Sequence, residues 1–153
     1  MKNIGKNILK IIFTFSLSGG LYLLIETFYH GYGSMPVYYV AGFVGLIALV
    51  MNNIFTYDMD YLSQGFVCGL IATILEGIAG NIWNADFILW DYRGMPFACW
   101  NDQICLPFFL AWIILCLAII PVLDYIEWRL FGYKTDTPPY YVICGKKIFQ
   151  FKK

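Results

Sequence analysis

A chain of 153 residues that is 60% hydrophobic, 20% aromatic and only 13% charged has too few charges to cover a soluble domain of its size. Its formal net charge of zero gives no overall attraction to nucleic acid, and no basic stripe interleaved with exposed aromatics offers a nucleic-acid face. The expected surroundings are the lipid bilayer, and the expected class is an all-α polytopic membrane protein with no nucleic-acid partner.

The chain opens with Lys2, Lys6 and Lys10 ahead of an apolar run, which imitates the charged and apolar regions of a secretory signal. The run is too long for that and has no small-residue cleavage site, so it reads as an uncleaved first helix. A hydrocarbon core of about 30 Å asks for about 20 helical residues, and four windows qualify: 8–28, 37–55, 62–82 and 104–126. Together they make one transmembrane domain over 1–133. The separators are Gly31 to Pro36, Thr56 to Asp60, and a longer aromatic loop from Trp83 to Gln103. The tail, 134–153, is not membrane-like; Tyr140 to Cys144 and Ile148 to Phe151 flank Gly145, Lys146 and Lys147. That pattern is open to a short hairpin or to contact with the inner leaflet through the lysines.

Positive charge is retained on the cytoplasmic side of a membrane. Nine of the ten basic residues lie toward the two chain ends, so both termini are expected to be cytoplasmic, which requires an even number of spans. The Asp58–Asp60 turn then faces inward, while the Ser34 turn and the aromatic loop, with Arg93 as its single basic residue, face outward.

Small residues mark packing. Gly65 and Gly69 form a GxxxG pair, and Ala72, Gly77 and Gly80 extend the strip, which lets another backbone approach closely. Contacts within the chain are the expected use. Ala41, Gly45, Ala48 and Asn52 follow helical spacing in the second window. Pro107 falls in the first turn of the fourth span, where it is harmless, and Pro121 is expected to bend that span.

An ionised carboxylate in hydrocarbon costs about 2.5 kcal/mol or more on insertion scales, so it normally faces protein, water or a partner charge. Glu26 and Glu76 each follow a glycine by seven residues, Gly19 and Gly69, which hints at a duplicated two-helix unit. Both fall in the outer half of spans that run in the same direction. His30 lies one turn beyond Glu26, and Asp91 and Arg93 stand in the outer loop, so Glu26, His30, Glu76, Asp91 and Arg93 form a candidate intramembrane polar site. Two readings stay open. Arg93 and His30 neutralise the glutamates and tie the loop down, or the group is a proton, cation or polar-solute site that opens outward. No nucleophile motif, zinc signature or phosphate loop accompanies these residues, so no catalytic residue, metal or cofactor is expected.

Trp83, Phe87, Trp90, Tyr92, Phe97 and Trp100 crowd the outer loop, where rings settle at the headgroup level or line a ligand cleft. The five cysteines show no metal spacing. Cys99 and Cys105 alone face outward, and a disulfide between them is allowed.

The chain resembles a family of small bacterial integral membrane proteins labelled putative ABC-transporter permeases of type IV. The likeness covers about Gly19 to Tyr141 and rests on Leu75-Glu76 with Gly80, Leu89-Trp90-Asp91-Tyr92, Gln103-Ile-Cys-Leu106 with Trp112, and Asp124-Tyr-Ile-Glu127 with Leu130-Phe-Gly132. Where the family has a glycine before the Gln/Arg-Ile-Cys-Leu element, this chain has Asp102. The resemblance implies transport across the bacterial cytoplasmic membrane by a permease or accessory subunit. A separate ATPase subunit would power it, because this chain has no Walker lysine, and self-association is expected because four spans are few for a pore. A non-transporting structural or regulatory membrane partner, and a lipid-acting membrane enzyme, are the competing readings.

Overall fold

The computed structural model describes residues 2–132 and 137–152; within them the side chains of Lys2, Asn3, His30 and Asn52 lie outside the described set. Four helices follow in order: α1 (Lys2–His30), α2 (Met35–Ile54), α3 (Tyr61–Trp83) and α4 (Leu106–Leu130). The segments Ile4–Tyr29, Tyr61–Trp83 and Leu106–Leu130 are long and apolar enough to cross a membrane, and a shorter apolar helix occupies Met35–Met51. The chain is therefore a mostly helical, multi-pass membrane protein.

Local chemistry sets the helix limits. Gly31 closes α1 at φ 80°, with its N–H bonded to the Thr27 carbonyl at 2.9 Å, the left-handed cap that glycine permits. α2 and α4 each carry a proline in their first turn, where no intrahelical N–H is lost. Asp60 caps α3 by accepting from the backbone N–H groups of Leu62 and Ser63 at 3.0 and 3.3 Å. α4 continues through Pro121. A proline there leaves the carbonyl four residues earlier without its helical donor, and the Tyr61 hydroxyl donates to that carbonyl, on Leu117.

The helices form two antiparallel pairs, α1 with α2 and α3 with α4, and α2 also packs on α3 and α4 while α1 and α4 scarcely meet. Glycine brings each pair together. A Cβ on Gly19 would sit 2.7 Å from the Tyr38 carbonyl oxygen on α2, and one on Gly69 would sit 2.9 Å from the Ile113 Cα on α4. Gly65 lies under Leu117 of α4. Gly77 and Gly80 depart from the expected helix packing: a Cβ there would strike the Trp100 ring and the Gln103 side chain, both at 2.4 Å. These two glycines make room for the aromatic loop.

This arrangement gives two ends. The start of α1, the α2–α3 turn and the tail share the tail end; the 31–34 turn and the 84–105 loop share the loop end. At the tail end β1 (Tyr140–Ile143) pairs antiparallel with β2 (Lys146–Gln150) through Cys144 and Gly145, at φ 49° and 74°, as a two-residue hairpin of the primed type requires. Tyr141 is only 2% exposed and donates from its hydroxyl to Asp124 Oδ2 at 2.7 Å. The Cys144 N–H bonds Asp60 Oδ2 at 2.7 Å, and the Tyr140 hydroxyl bonds Asp58 Oδ1 at 2.7 Å. Lys10 Nζ meets Glu127 Oε1 at 2.5 Å and joins α1 to α4 at this end, beside a ring contact between Phe13 and Phe131.

Candidate functional site

The loop after α3 has almost no regular structure, yet it is firmly held. Asn84 ends α3, is fully buried, and donates from Nδ2 to the Trp90 carbonyl at 2.7 Å and to Gln103 Oε1 at 2.9 Å. Its own Oδ1 accepts from the Leu89 N–H at 2.8 Å, and its carbonyl accepts from Gln103 Nε2 at 3.1 Å. The Trp90 indole N–H donates to the Gln103 carbonyl at 3.2 Å. A buried polar network with its members bonded together stiffens what it joins. The cost it offsets is visible: Phe87, Phe97, Trp100, Asn101 and Asp102 all have positive φ between 53° and 58°, a region disfavoured for side-chain-bearing residues by about 1–2 kcal/mol each.

The network sorts the loop aromatics. Trp83, Phe97 and Trp100 remain exposed, whereas Trp90 and Tyr92 are buried and face a cavity of about 110 Å³ between the helices. Tyr22, Glu26 and Tyr29 of α1, Val37 and Val40 of α2, Glu76 of α3, Phe108 and Trp112 of α4, and Trp90, Asp91, Tyr92 and Met95 of the loop surround it. Glu76 is 5% exposed. Its Oε1 accepts from the Tyr92 hydroxyl at 2.9 Å, while its Oε2 has no hydrogen-bond partner. The Trp112 indole is near enough to act on Glu76 electrostatically, but its N–H also bonds nothing. Tyr22 stacks on Trp112 at 4.8 Å and 14° and engages Glu26 through its hydroxyl. Tyr92 stacks on Phe108 at 4.4 Å. Burial, with Glu76 alongside, pushes its phenol far above the usual tyrosine value, so it stays a donor.

Of the five residues the sequence singles out, Glu26, Glu76 and Asp91 line this cavity. Arg93 does not neutralise the glutamates. It forks onto Asp91 two residues away, Nε to Oδ1 at 2.8 Å and Nη2 to Oδ2 at 2.5 Å, with its guanidinium 4.4 Å from the Phe87 ring centre. These bonds hold the Asp91 carboxyl down to about 2. The arginine's partner is the carboxylate nearest to it in sequence. The His30 side chain lies outside the described residues. Cys99 and Cys105 are free; Cys105 is buried with its thiol 3.7 Å from the Met95 sulfur, while Cys99 is exposed and only its backbone joins the turn, through Ile104.

Tyr22, Tyr92 and Trp112 are absent from the sequence-level site, although Tyr92 and Trp112 belong to the motifs that carry the family likeness. The available signal was α-helical spacing: Tyr22 precedes Glu26 by four residues and so shares its face. Among the described residues no group of three His, Cys, Asp or Glu side chains converges as metal ligands. Compared with known proteins, residues 12–144 match a family described as Putative ABC-transporter type IV. No curated protein and no solved structure matches the chain.

Proposed function

The chain belongs to the Putative ABC-transporter type IV family, and from that premise we propose that it is a permease or accessory subunit of an ABC-type system whose loop-end cavity receives a small organic cation. One observation carries the cation: Glu76 lines the cavity, and its Oε2 is buried without a hydrogen-bond partner. A carboxylate in that position lacks half of its usual bonds, and an ammonium group would supply them. The cavity has six rings from Tyr22, Tyr29, Trp90, Tyr92, Phe108 and Trp112, and aromatic faces attract ammonium ions by about 0.5–2 kcal/mol each. Metal ions ask for convergent oxygen or nitrogen ligands, whereas this wall of carbon with two inner carboxylates suits an alkylated nitrogen.

In this reading α2 completes a four-span bundle in a bacterial cytoplasmic membrane, with both termini cytoplasmic and the cavity open outward. The hairpin lies on the cytoplasmic side, within reach of a separate ATPase, and copies of the chain associate to complete a path. A second reading, a non-transporting regulatory partner, draws support from β2, which is exposed throughout and presents Lys146, Lys147, Ile148 and Phe149 for docking.

The test is a titration of the purified protein with tetramethylammonium chloride, followed by tryptophan fluorescence from Trp90 and Trp112, with sodium chloride at matched ionic strength as the control. Saturable binding is expected, weakened about tenfold or more in Glu76→Gln, equivalent to about 1.4 kcal/mol. Equal binding by a folded Glu76→Gln variant, or no binding by the native chain, would remove the cation site. Gentle purification from native membranes tests the ABC assignment separately: a nucleotide-binding ATPase in stoichiometric amount supports it, and its absence leaves the docking role.

A further inference from the structure

The cavity does not stand alone. Because α1 and α4 scarcely meet, a slot of about 390 Å³ lies between them, floored by α2 at Ala41, Val44 and Gly45. That volume is within the usual range for small-molecule sites, about 300–1,000 Å³. Its α1 wall runs from Ser18 to Phe28 and its α4 wall from Trp112 to Val122, eleven residues each and so about 15 Å from first to last. That is about half of the 30 Å hydrocarbon thickness, the depth of one leaflet. The slot is closed toward the tail end by the Lys10–Glu127 pair and the Phe13–Phe131 contact. On α1 the slot continues to Phe28 at the loop end, and partway along it Tyr22 and Trp112, stacked on each other, also line the acidic cavity. One side of the stack is carboxylate-lined and the other is hydrocarbon.

We infer that cavity and slot form one site for a membrane-dissolved amphiphile, with its ammonium head at Glu76 and a single apolar chain in the slot between α1 and α4. The inference rests on the cation reading above and names the substrate class. Charge selects the head: Glu26 and Glu76 disfavour an anion and leave Glu76 Oε2 to be satisfied. The slot selects the tail. Apart from Ser18 and the two shared rings its walls are aliphatic, phenyl or thiol side chains, and its outer rim of Leu21, Leu24, Ile25 and Val122 is exposed. A chain dissolved in the leaflet can therefore enter sideways without crossing water, while the head slips past the Tyr22–Trp112 stack.

The experiment compares dodecyltrimethylammonium with tetramethylammonium on the full chain in an uncharged sterol-glycoside detergent. The native protein is expected to bind the dodecyl compound at least about tenfold more tightly. Ala118→Phe, on the exposed wall of the slot, should abolish most of that advantage and leave tetramethylammonium unaffected; Val122→Phe is a second variant with the same expectation. Glu76→Gln should weaken both ligands. A chain advantage that survives in both slot variants is partition into the micelle and would overturn the inference while leaving the cation site standing. Loss of neither ligand in Glu76→Gln would instead remove the reading beneath it.

Discussion

Asp102 has φ 57°, a backbone state that costs a side-chain-bearing residue energy and costs glycine almost none. It occupies the position at which the resembled family carries glycine, the residue that adopts this state most readily. The turn keeps its left-handed geometry because Gln103 is locked to Asn84 on one side and the Trp100 ring rests on Gly77 on the other. Asp102→Gly is therefore expected to stabilise the protein by about 0.5–1 kcal/mol after the greater freedom of the unfolded glycine is subtracted. A higher midpoint of thermal unfolding, read by tryptophan fluorescence in detergent, would bear this out; a lower one would show that the carboxylate makes a contact worth more than the strain. At this scale the sequence was only partly readable. Glu26 and Glu76 stand out because charge inside an apolar run has few explanations. Asn84 and Gln103 do not, since an amide in a loop looks solvated until the fold buries it, and which carboxylate Arg93 takes is settled by the fold, in favour of Asp91.

Among the elements, the hairpin depends most visibly on single atoms. Asp60 joins it to α3, with Oδ1 on the helix N-terminus and Oδ2 on the Cys144 N–H. The backbone donors, Cys144 foremost, lower its pKa below the ordinary 3.8. A depressed carboxylate contributes stability that is fully present above its unfolded value and is lost as pH falls through the folded one, so this tie is intact at neutral pH and fails in acid below 3.8. A spin label on Cys144, with the other cysteines replaced, should be immobile near neutrality and gain mobility below that point; Asp60→Asn should show the mobile spectrum at every pH. An identical transition in both proteins would place the tie elsewhere. The helices themselves were legible from apolar run length, and the turn from Gly145 between β-rich flanks. The burial of Tyr141 was not, because its partner Asp124 lies 17 residues earlier inside an apolar helix.

At the scale of the molecule, α2 holds the bundle together by contacting every other helix, and α1 is attached chiefly through it. The glycines seven residues ahead of the two inner glutamates do equivalent work, each drawing in the helix that follows, and the glutamates reach the same cavity from opposite pairs. The matched spacing hints at a duplicated unit and leaves a shared cavity open; the slot beside it has no sequence signal at all, since a gap between helices has no residue of its own. Among the described residues the tail end carries every basic side chain but Arg93, so a reporter enzyme active only in the cytoplasm and fused after Lys153 should be active, and a thiol probe at Asp86 should label from outside. A silent fusion would invert the bundle and place the cavity on the other face. The glycine strip of α3 has one more consequence. Leu117 covers Gly65, Ile113 covers Gly69, Trp100 covers Gly77 and Gln103 covers Gly80, so the close-approach groove that so often serves as a dimer seam is already filled by its own chain. A ring or pair of these molecules would therefore have to meet through faces other than this strip, where lipid competes for the contact.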